Sequence, residues 1–477
     1  MTNLIGRDKE IKRLDRAMAE NEAQLIIVYG RRRVGKTFLI NEYFDYDFAF
    51  QFTGSENQSS KEQLKNFGLS ISNLTGEKRA IPKDWTEAFF LLRDYLQTIE
   101  QKEKIVVFFD ELPWMDRPRS GFLAAFEWFW NSWGASRKNL VLIVCGSSTS
   151  WMIEKLDENK GGLFNRQTCR LYLNPFDLRQ TELYLNSRKI YWSRYDIVIV
   201  YMIMGGIPFY LRLLDSDYTL NENIDNIFFA KRAELWDEFN HLYRTLFSNS
   251  DSYIKIAEAL SKKRNGITRD EIVKSTGLFS NGVLTKMLTN MGKSGFIRIN
   301  DAYGRKKREK TYQLSDYYSI FYFRFIKDNF GKDEHFWSNT IDNPSKKAWQ
   351  GYSFEQVCRD HIDQIKKKLG ISGVMTEVSN WMAHSTSDSD GAQIDMVIDR
   401  RDRVINLCEI KFSTKEYEID KKYDENLKNK VSVFRTATKT NKTLITTMIT
   451  TYGIKKNMYS NYIGKEIVMD DLFALVD

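Results

Sequence analysis

An octapeptide with the spacing of a phosphate-binding loop, GRRRVGKT, occupies residues 30–37. Its two glycines allow the backbone to curl so that successive N–H groups face an anion. Lys36 would reach the β- and γ-phosphates of a nucleotide, and the hydroxyl of Thr37 would bind Mg²⁺. An apolar run at 25–29 precedes the loop and a segment with helical spacing follows it. Strand, loop and helix in this order predict a site for ATP with Mg²⁺. The residues expected to line it are Gly30, Arg31, Arg32, Arg33, Val34, Gly35, Lys36, Thr37 and Phe38.

Two acidic residues, Asp110 and Glu111, directly follow the apolar run at 105–109. Opposite a phosphate-binding loop, Asp110 would hold Mg²⁺ through water and Glu111 would orient the water that attacks the phosphate. The alternative is an ordinary strand end. A further apolar run ends just before Ser147 and Ser148, and either hydroxyl could sense the γ-phosphate.

Another set of charged residues lies near the C-terminus. Asp395 and Glu409 belong to two segments with strand patterns, joined by a short turn at 400–403. The turn would place these carboxylates side by side, and Lys411 would project on the same face as Glu409 because alternate strand residues point the same way. Two carboxylates with a lysine suit a Mg²⁺ site that cleaves phosphodiesters. Glu355, in a helical segment upstream, adds a third carboxylate.

The whole chain has 477 residues, a net charge of +8 and an ordinary composition, with 42% hydrophobic residues. This length predicts several domains, and the basic excess permits nucleic-acid binding without requiring it. The scattered cysteines and histidines favour neither disulfides nor a zinc site. Without an apolar run of about eighteen residues or an apolar N-terminal segment, we expect a cytoplasmic protein that does not enter a membrane.

Apolar strands that alternate with helical segments in the N-terminal part predict a doubly wound parallel α/β sheet. The middle part, residues 251–330, shows three helical patterns and a hairpin, which is the pattern of a winged helix. A capping box at 268–271 opens the second of these helices. Such a module either binds duplex DNA, through a helix in the major groove, or serves only for packing. The basic residues of its hairpin are Arg305, Lys306, Lys307, Arg308 and Lys310, and those expected on its third helix are Lys286, Asn290 and Lys293.

The order of several motifs resembles that of the archaeal-type ATPase family, an AAA+-related branch of P-loop ATPases. These motifs are Ile5-Gly6-Arg7 with Glu10, YGRRRVGKT, FFDELPWM, VCGSS, LFNRQT and MGGIPFYL. The resemblance implies that Arg166 is an arginine finger reaching a neighbouring subunit, although a plain surface arginine is the alternative. It also implies a helical lid at 176–250 with Pro208 close to the adenine, and Ile5 and Arg7 on the other side of the base.

The C-terminal part, residues 340–477, resembles the PD-(D/E)XK nuclease superfamily, with Glu355, Asp395, Glu409 and Lys411 matching its motif. Ile394 stands where the proline of that name would be. Downstream, a basic helical pattern at 426–438 offers Lys428, Lys430 and Arg435 as phosphate contacts. The predicted fold is therefore a P-loop AAA+-like α/β ATPase domain (1–175), a helical lid, a winged helix and an α/β restriction-endonuclease-like domain.

These patterns predict a protein that binds and hydrolyses ATP and acts on DNA, with a metal-dependent nuclease-like domain. An arginine finger acting in trans would require a homo-oligomer. The alternative function is a nucleotide-dependent regulatory switch, whose C-terminal domain binds nucleic acid or a protein partner without cutting. The residues expected to carry catalysis are Glu111, Arg166, Glu355, Asp395, Glu409 and Lys411.

Overall fold

The computed structural model describes residues 4–158, 162–163, 165–247, 249–301, 303, 310–329, 331–340, 342–383 and 391–476. The described residues up to Pro175 form one compact unit, and those from Phe176 onward form another. They are called unit 1 and unit 2 below.

Within its described residues, unit 1 contains a parallel sheet of five strands in the order β2-β3-β4-β1-β5. The strands are β1 (Gln24–Gly30), β2 (Phe50–Thr53), β3 (Ile105–Asp110), β4 (Leu140–Gly146) and β5 (Cys169–Leu173). The central strands are nearly continuous apolar runs because helices cover both faces of the sheet. β3 is buried along its whole length, so its end delivers Asp110 to the carboxyl edge of the sheet.

The helices of unit 1 are α1 (Asp8–Ala19), α2 (Lys36–Tyr43), α3 (Ser60–Thr75), α4 (Trp85–Thr98), α5 (Phe122–Ser132) and α6 (Thr149–Met152). Of these, α3, α4 and α5 bury an aromatic core against the sheet. Phe67, Trp85 and Phe89 are fully buried and contact one another at ring distances of 5.8 to 6.3 Å. Offset and edge-on pairs of this kind add to the free energy gained by burial.

Unit 2 begins with a helical region. Its helices are α7 (Leu178–Ser187), α8 (Arg194–Met204), α9 (Pro208–Leu211), α10 (Leu220–Ile224) and α11 (Glu238–Leu246). Gly205 and Gly206 have φ angles of 64° and 65°. A Cβ at Gly206 would lie 2.1 Å from the carbonyl oxygen of Phe176, so only glycine fits there. Pro208 then opens α9 at a position where its missing N–H costs nothing.

The middle part contains α12 (Ser250–Ser261), β6 (Ile267–Thr268), α13 (Arg269–Thr276), α14 (Gly282–Lys293), β7 (Ile297–Asp301) and β8 (Lys310–Leu314). The three strands pair in the order β6-β8-β7 within the described residues. The capping box predicted at the start of α13 is confirmed, since Thr268 and Glu271 bond reciprocally. Of the basic hairpin residues, Arg305, Lys306, Lys307 and Arg308 lie outside the described residues, and Lys310 is exposed.

The remaining helices are α15 (Tyr317–Phe321), α16 (Phe336–Asn339), α17 (Pro344–Asp360), α18 (Ile362–Leu369) and α19 (Lys421–Thr438). The strands are β9 (Thr376–Ala383), β10 (Ala392–Arg400), β11 (Val404–Lys411), β12 (Thr443–Thr450) and β13 (Lys465–Val468). Over their described residues, these strands form one sheet in the order β13-β12-β11-β10-β9. β10 is antiparallel to β11, whereas β11, β12 and β13 are parallel. The predicted hairpin between β10 and β11 is confirmed.

A buried histidine joins α17 to the helical region of unit 2. His361 ends α17, and its Nε2 accepts a hydrogen bond of 2.9 Å from the backbone N–H of Leu178 at the start of α7. Its Nδ1 lies 2.8 Å from the carbonyl oxygen of Val357, which fixes the neutral ring with Nδ1 as the donor. Burial lowers the pKa of His361, so the ring stays uncharged at neutral pH.

The cysteines behave as small apolar residues, as the sequence predicts. Cys145, Cys169, Cys358 and Cys408 are all buried and free. Among the described residues, no helix combines the length and the apolar character needed to cross a bilayer.

Candidate nucleotide site and carboxylate site

The loop between β1 and α2 has the backbone conformation that an anion cradle requires. Gly35 has a φ of 89°, and a Cβ there would point into open space. Gly30 has a φ of 148°, and a Cβ there would lie 2.4 Å from the carbonyl oxygen of Leu173. Lys36 is buried, and its Nζ donates to the carbonyl oxygens of Gly30 and Arg31 at 3.1 and 3.0 Å. Its ammonium is thus held over the loop by neutral acceptors, where a phosphate can replace them.

Arginines surround this loop and one of them braces it. Arg7 is buried, and its guanidinium donates to the carbonyl oxygens of Val34 (2.8 Å) and Asn174 (3.0 Å). Arg7 therefore positions the loop backbone. Nη1 of Arg32 is buried and donates no hydrogen bond within the described part of the chain. A buried cationic donor beside a glycine loop fits an anionic ligand such as a polyphosphate.

Two carboxylates, those of Asp110 and Glu111, lie at the carboxyl end of β3. The hydroxyl of Thr37 donates to Oδ2 of Asp110 at 2.9 Å, which brings together the two groups expected at Mg²⁺. Glu111 adopts a left-handed conformation (φ 48°, ψ 48°), which is strained for a residue with a side chain. Its Oε2 accepts from both the N–H and the hydroxyl of Ser147, at 3.0 and 2.8 Å.

The environment of Glu111 opposes its charge. Burial raises the pKa of Glu111, and the nearby Asp110 adds to this, while Lys36 and the Ser147 bonds act in the opposite direction. A raised pKa brings a carboxyl closer to the range where it can accept a proton from water. Ser147 thus holds Glu111 in addition to standing at the strand tip where the sequence placed it.

In unit 2 the antiparallel register of β10 and β11 brings the other carboxylates together. Met396 pairs with Cys408, so Asp395 and Glu409 are the next residues along the two strands. Oδ2 of Asp395 accepts from the backbone N–H of Ile410 at 2.9 Å. Nζ of Lys411 lies 4.0 Å from Oε2 of Glu409, as the alternation of the strand predicts.

Glu355 reaches the same site from α17. Burial and the charge of Asp395 raise the pKa of Glu355 to about 7, against the opposing effects of Arg359, Lys411 and Arg264. Burial and Asp395 also raise the pKa of Glu409. The carboxylates are therefore close enough to repel one another, which favours a bound cation or a bound proton.

Three contacts of this site were missed by sequence reasoning. Lys430, interpreted above as a phosphate contact, instead donates from Nζ to both carboxylate oxygens of Glu409 at 2.7 Å. The hydroxyl of Tyr423 also donates to Glu409, at 3.2 Å. Arg359 donates from Nη2 to the carbonyl oxygen of Asp395. Lys430 and Tyr423 lie seven residues apart on α19, and this spacing on one helix face was the available signal.

The residues fit a hard cation that keeps much of its water. Within the described residues, no group of three or more His, Cys, Asp or Glu side chains is gathered tightly enough to hold a metal ion. Mg²⁺ is commonly bound through one or two carboxylates together with waters and substrate phosphates. Asp395 and Glu409 suit that mode, as does Asp110 with Thr37 in unit 1.

Other predicted residues have different surroundings. Arg166 is exposed, Phe38 is 49% exposed, and Ile5 is half-buried. Asn290, expected on the open face of α14, is half-buried and donates to the hydroxyl of Tyr253 at 3.3 Å. The reason is that the side chain of Tyr253, on α12, reaches it. Lys428 donates to Asp424 at 2.6 Å, so it too has a protein partner.

The sheet order, the loop and the two carboxylates after β3 define unit 1 as a P-loop ATPase fold. Residues 4–214 match the model of a family described as an ATPase domain predominantly from Archaea. A Walker-type ATPase of Pyrococcus abyssi has a similar fold, with a TM-score of 0.51 and 20% identity over 68% of this chain and 96% of that one.

Two curated relatives come from Methanocaldococcus jannaschii. An uncharacterized protein is 26% identical over 430 residues, which are 88% of this chain and 90% of that protein. An uncharacterized ATP-binding protein is 51% identical over 41 residues, which are 9% of this chain and 70% of the relative. The chain therefore carries an ATPase domain related to archaeal ATPases.

Proposed function

We propose that this protein binds and hydrolyses Mg²⁺-ATP in unit 1 and cleaves phosphodiester bonds of nucleic acid, DNA in the first place, in unit 2. The observation that carries the second half is the meeting of Asp395, Glu409 and Lys411 at the ends of β10 and β11. Paired carboxylates with an adjacent ammonium suit the hydrolysis of a phosphodiester with a divalent cation.

In unit 1 each residue has a distinct task. Lys36 exchanges its bonds to loop carbonyls for the β- and γ-phosphates, and Thr37 and Asp110 would hold Mg²⁺. Bound Mg²⁺ would neutralise charge on the transferring phosphoryl group. Glu111 orients the attacking water, and its raised pKa helps it to accept a proton.

In unit 2, Asp395 and Glu409 would hold a metal ion, which would neutralise the scissile phosphate when bound. The ammonium of Lys411 stabilises negative charge that develops on the phosphate oxygens. Glu355, whose pKa is raised to about 7, is suited to take a proton from the attacking water near neutral pH. The water oxygen forms the new bond to phosphorus while its proton passes to Glu355. The sugar oxygen leaves with the electron pair of the broken P–O bond and takes a proton from solvent water.

Positive charge beside this site supports a nucleic-acid substrate. Lys262, Arg264, Arg324 and Lys327 line a groove of about 550 Å³ in unit 2. Glu258 and Asp328 also line it, so positive charges are in excess there. Arg264 interacts electrostatically with Glu355, so the groove approaches the carboxylates. Basic grooves bind phosphate backbones without sequence preference. Lys286 on α14 is exposed and is a second candidate contact for duplex DNA.

A cleavage assay with the full chain tests the proposal. End-labelled single-stranded and duplex DNA, and RNA, are incubated with Mg²⁺ or Mn²⁺, with and without ATP. We expect Asp395→Ala and Lys411→Ala to abolish strand scission. Asp402→Ala is the matched control, because Asp402 is an exposed carboxylate in the turn of the same hairpin. Equal cutting by the wild type and Asp395→Ala would contradict the assignment.

A nucleotide-dependent switch without nuclease activity is the second candidate. It is favoured by the bond of Lys430 to both oxygens of Glu409, which places a protein cation where a metal ion would bind. In that case the wild type cuts no substrate under any metal or nucleotide condition, while ATP hydrolysis at Lys36 persists.

Arg166 is proposed as a finger that acts on a neighbouring copy, because its side chain is exposed in the segment that precedes β5. A guanidinium supplied in trans would stabilise charge on the transferring phosphoryl group. Mixing Arg166→Ala with Glu111→Gln tests this, since each variant lacks a different part of a shared site. We expect the mixture to regain ATPase activity and light scattering to show an oligomer with ATP. No regain would make Arg166 a surface residue.

A further inference from the structure

A cavity of about 120 Å³ adjoins the carboxylate site of unit 2. Glu355, Arg359 and Asp395 form one of its walls, and residues of β7, β8, β9 and β10 form the others. Since one water needs about 10–15 Å³ in this measure, the cavity has room for about ten atoms of that size. One planar heterocycle of the size of a nucleobase fills such a volume.

Aromatic rings at this cavity are held rigidly. Trp381 is 7% exposed, and its ring meets that of Phe434 edge-on with centroids 5.0 Å apart. The ring of Tyr303 also packs on Phe434, at 5.3 Å, and its hydroxyl donates to Asp399 at 3.1 Å. Fixed aromatic side chains at a cavity offer stacking or edge contacts to a base with little loss of conformational entropy.

Five amide side chains line the cavity, those of Asn265, Asn300, Gln313, Asn380 and Gln393. Asn265 and Gln393 exchange two hydrogen bonds, of 3.2 and 3.4 Å, and both side chains are otherwise exposed. Oδ1 of Asn380 is buried and accepts no hydrogen bond from the described residues. An amide presents a donor and an acceptor together, which is the pattern that pairs with the edge of a base.

The charges around the cavity separate the base from its phosphate. Arg264 directly precedes Asn265 of the lining, and it belongs to the basic groove described above. A strand that follows this groove would bring its phosphates past Arg264 to the carboxylate site. The amide-lined part of the cavity beside it would then receive a base and not a phosphate, because Glu355 and Asp395 repel anions when no metal ion compensates their charge.

We infer that this cavity binds one unpaired nucleobase of a single-stranded nucleic acid, next to the phosphodiester presented to Asp395 and Glu409. The inference rests on the proposed function and specifies its substrate. A duplex would first have to extrude a base, at a cost of a few kcal/mol in unpairing and unstacking. Single strands are therefore the preferred ligand.

Binding of a labelled strand without cleavage tests this inference. The full chain, in buffer with EDTA, is titrated into fluorescein-labelled single-stranded DNA of about 16 nucleotides, a length that covers the site sizes of single-strand binders. A parallel set of strands carries one abasic nucleotide, moved along the sequence. We expect about tenfold weaker binding when the abasic nucleotide falls at one position, since base contacts of this kind contribute that much.

Variants of the lining link that base dependence to the cavity. Asn265→Ala and Gln393→Ala alter exposed side chains and leave the fold intact, and Asn380→Ala removes the buried amide. We expect each to weaken binding of the intact strand severalfold and to abolish the abasic effect. Gln101→Ala, an exposed amide in unit 1, is the control and should bind as the wild type does. A flat abasic scan, or unchanged binding by the lining variants, would overturn the inference.

Free nucleotides are the other source of the same chemistry. Nucleoside 5′-monophosphates are added as competitors. The single-strand assignment would be overturned if they displaced the strand at a concentration no higher than that of the nucleotides contained in the strand.

Cleavage with Mn²⁺ is measured separately on the same variants. Base-dependent binding without scission under any condition supports the cavity and refutes the nuclease; scission with a flat abasic scan refutes the cavity alone.

Discussion

The two candidate sites contain the same ingredients in different pairings. In unit 1, Lys36 bonds to the backbone carbonyl oxygens of Gly30 and Arg31, and Asp110 accepts a bond from the neutral hydroxyl of Thr37. In unit 2, the ammonium of Lys430 bonds directly to the carboxylate of Glu409. The lysine of the first site faces dipoles, whereas a lysine of the second faces a full charge.

Because of this difference, ligand binding replaces different interactions of the lysine in the two sites. A polyphosphate at Lys36 replaces neutral acceptors by charged ones, so the electrostatic energy of the ammonium improves. A metal ion at Glu409 must displace an ammonium that already compensates the carboxylate, so part of the binding free energy is lost. We therefore expect tight nucleotide binding in unit 1 and weak metal binding in unit 2.

The largest expected effect comes from Lys36→Ala. Removing the ammonium that donates to two loop carbonyls should lower the ATPase rate by at least about a hundredfold, since loss of one charge-stabilising donor costs that much. Steady-state phosphate release measures it. Lys12→Ala, an exposed lysine on α1, is the control. If the variant hydrolyses ATP at the wild-type rate, the nucleotide site is misassigned.

Glu355→Gln should stabilise the chain while it impairs cleavage. Because burial and Asp395 raise the pKa of Glu355 from 4.5 to about 7, the folded chain holds this proton more tightly than the unfolded chain does. The free energy of unfolding therefore falls as the pH rises from about 4.5 to about 7, and it stays lowered above that range. After allowance for partial exposure, this loss of stability is on the order of 2 kcal/mol.

Urea unfolding in EDTA between pH 5 and 8 measures this effect. The variant should be more stable than the wild type at pH 8 and about equal to it at pH 5, and Glu425→Gln, on the exposed side of α19, is the control. A stability difference that does not change with pH would show that Glu355 has no unusual affinity for its proton.

Lys430→Met tests the contrast between the sites directly. With the competing ammonium removed, Mn²⁺ should bind the carboxylate site about tenfold more tightly, because a neighbouring positive charge opposes a cation. Calorimetric titration without nucleotide or nucleic acid gives the affinity. Lys428→Met, two residues away on the same helix and paired with Asp424, is the control. Weaker Mn²⁺ binding by Lys430→Met would mean that Lys430 supports the metal site.

The smallest effect is expected for Ser147→Ala. Its hydroxyl contributes one of the two bonds that hold Glu111, and the backbone N–H of residue 147 remains in place. We expect a severalfold fall in the rate of ATP hydrolysis with little change in KM, since the net contribution of one hydrogen bond is about 1 kcal/mol and the backbone donor remains. A rise in KM alone would assign Ser147 to nucleotide binding.

Local patterns were enough for the parts of each site that lie on one stretch of chain. The loop at 30–37 could be predicted because its glycine spacing dictates the backbone, and Asp395 could be placed beside Glu409 because a short turn fixes the register of a hairpin. The capping box at Thr268 is local in the same sense. The placement of Glu355 at this site was an expectation from resemblance, and the repulsion between its carboxyl and Asp395 agrees with it.

Contacts made by helix packing were not predictable in this way. Lys430 and Tyr423 reach Glu409 because α19 packs across the sheet at a particular rotation, and the basic pattern of the helix suggested phosphate contacts instead. Asn290 was expected to be exposed because it lies outside the apolar face of α14. Periodicity does not show whether a side chain of another helix, here Tyr253, reaches such a position. The bonds of Ser147 to Glu111 also depend on where two strands end relative to each other.

The imidazole of His361 has a mechanical consequence. It accepts from the first turn of α7 and ends the helix that carries Glu355, so the two helices are coupled through one uncharged ring. Because helices are stiff, a rotation of α7 would also move α17 and with it the carboxyl group of Glu355. Protonation of Nε2 would remove the acceptor for the N–H of Leu178, so we expect acid to uncouple the two helices and to change the position of Glu355 relative to β10.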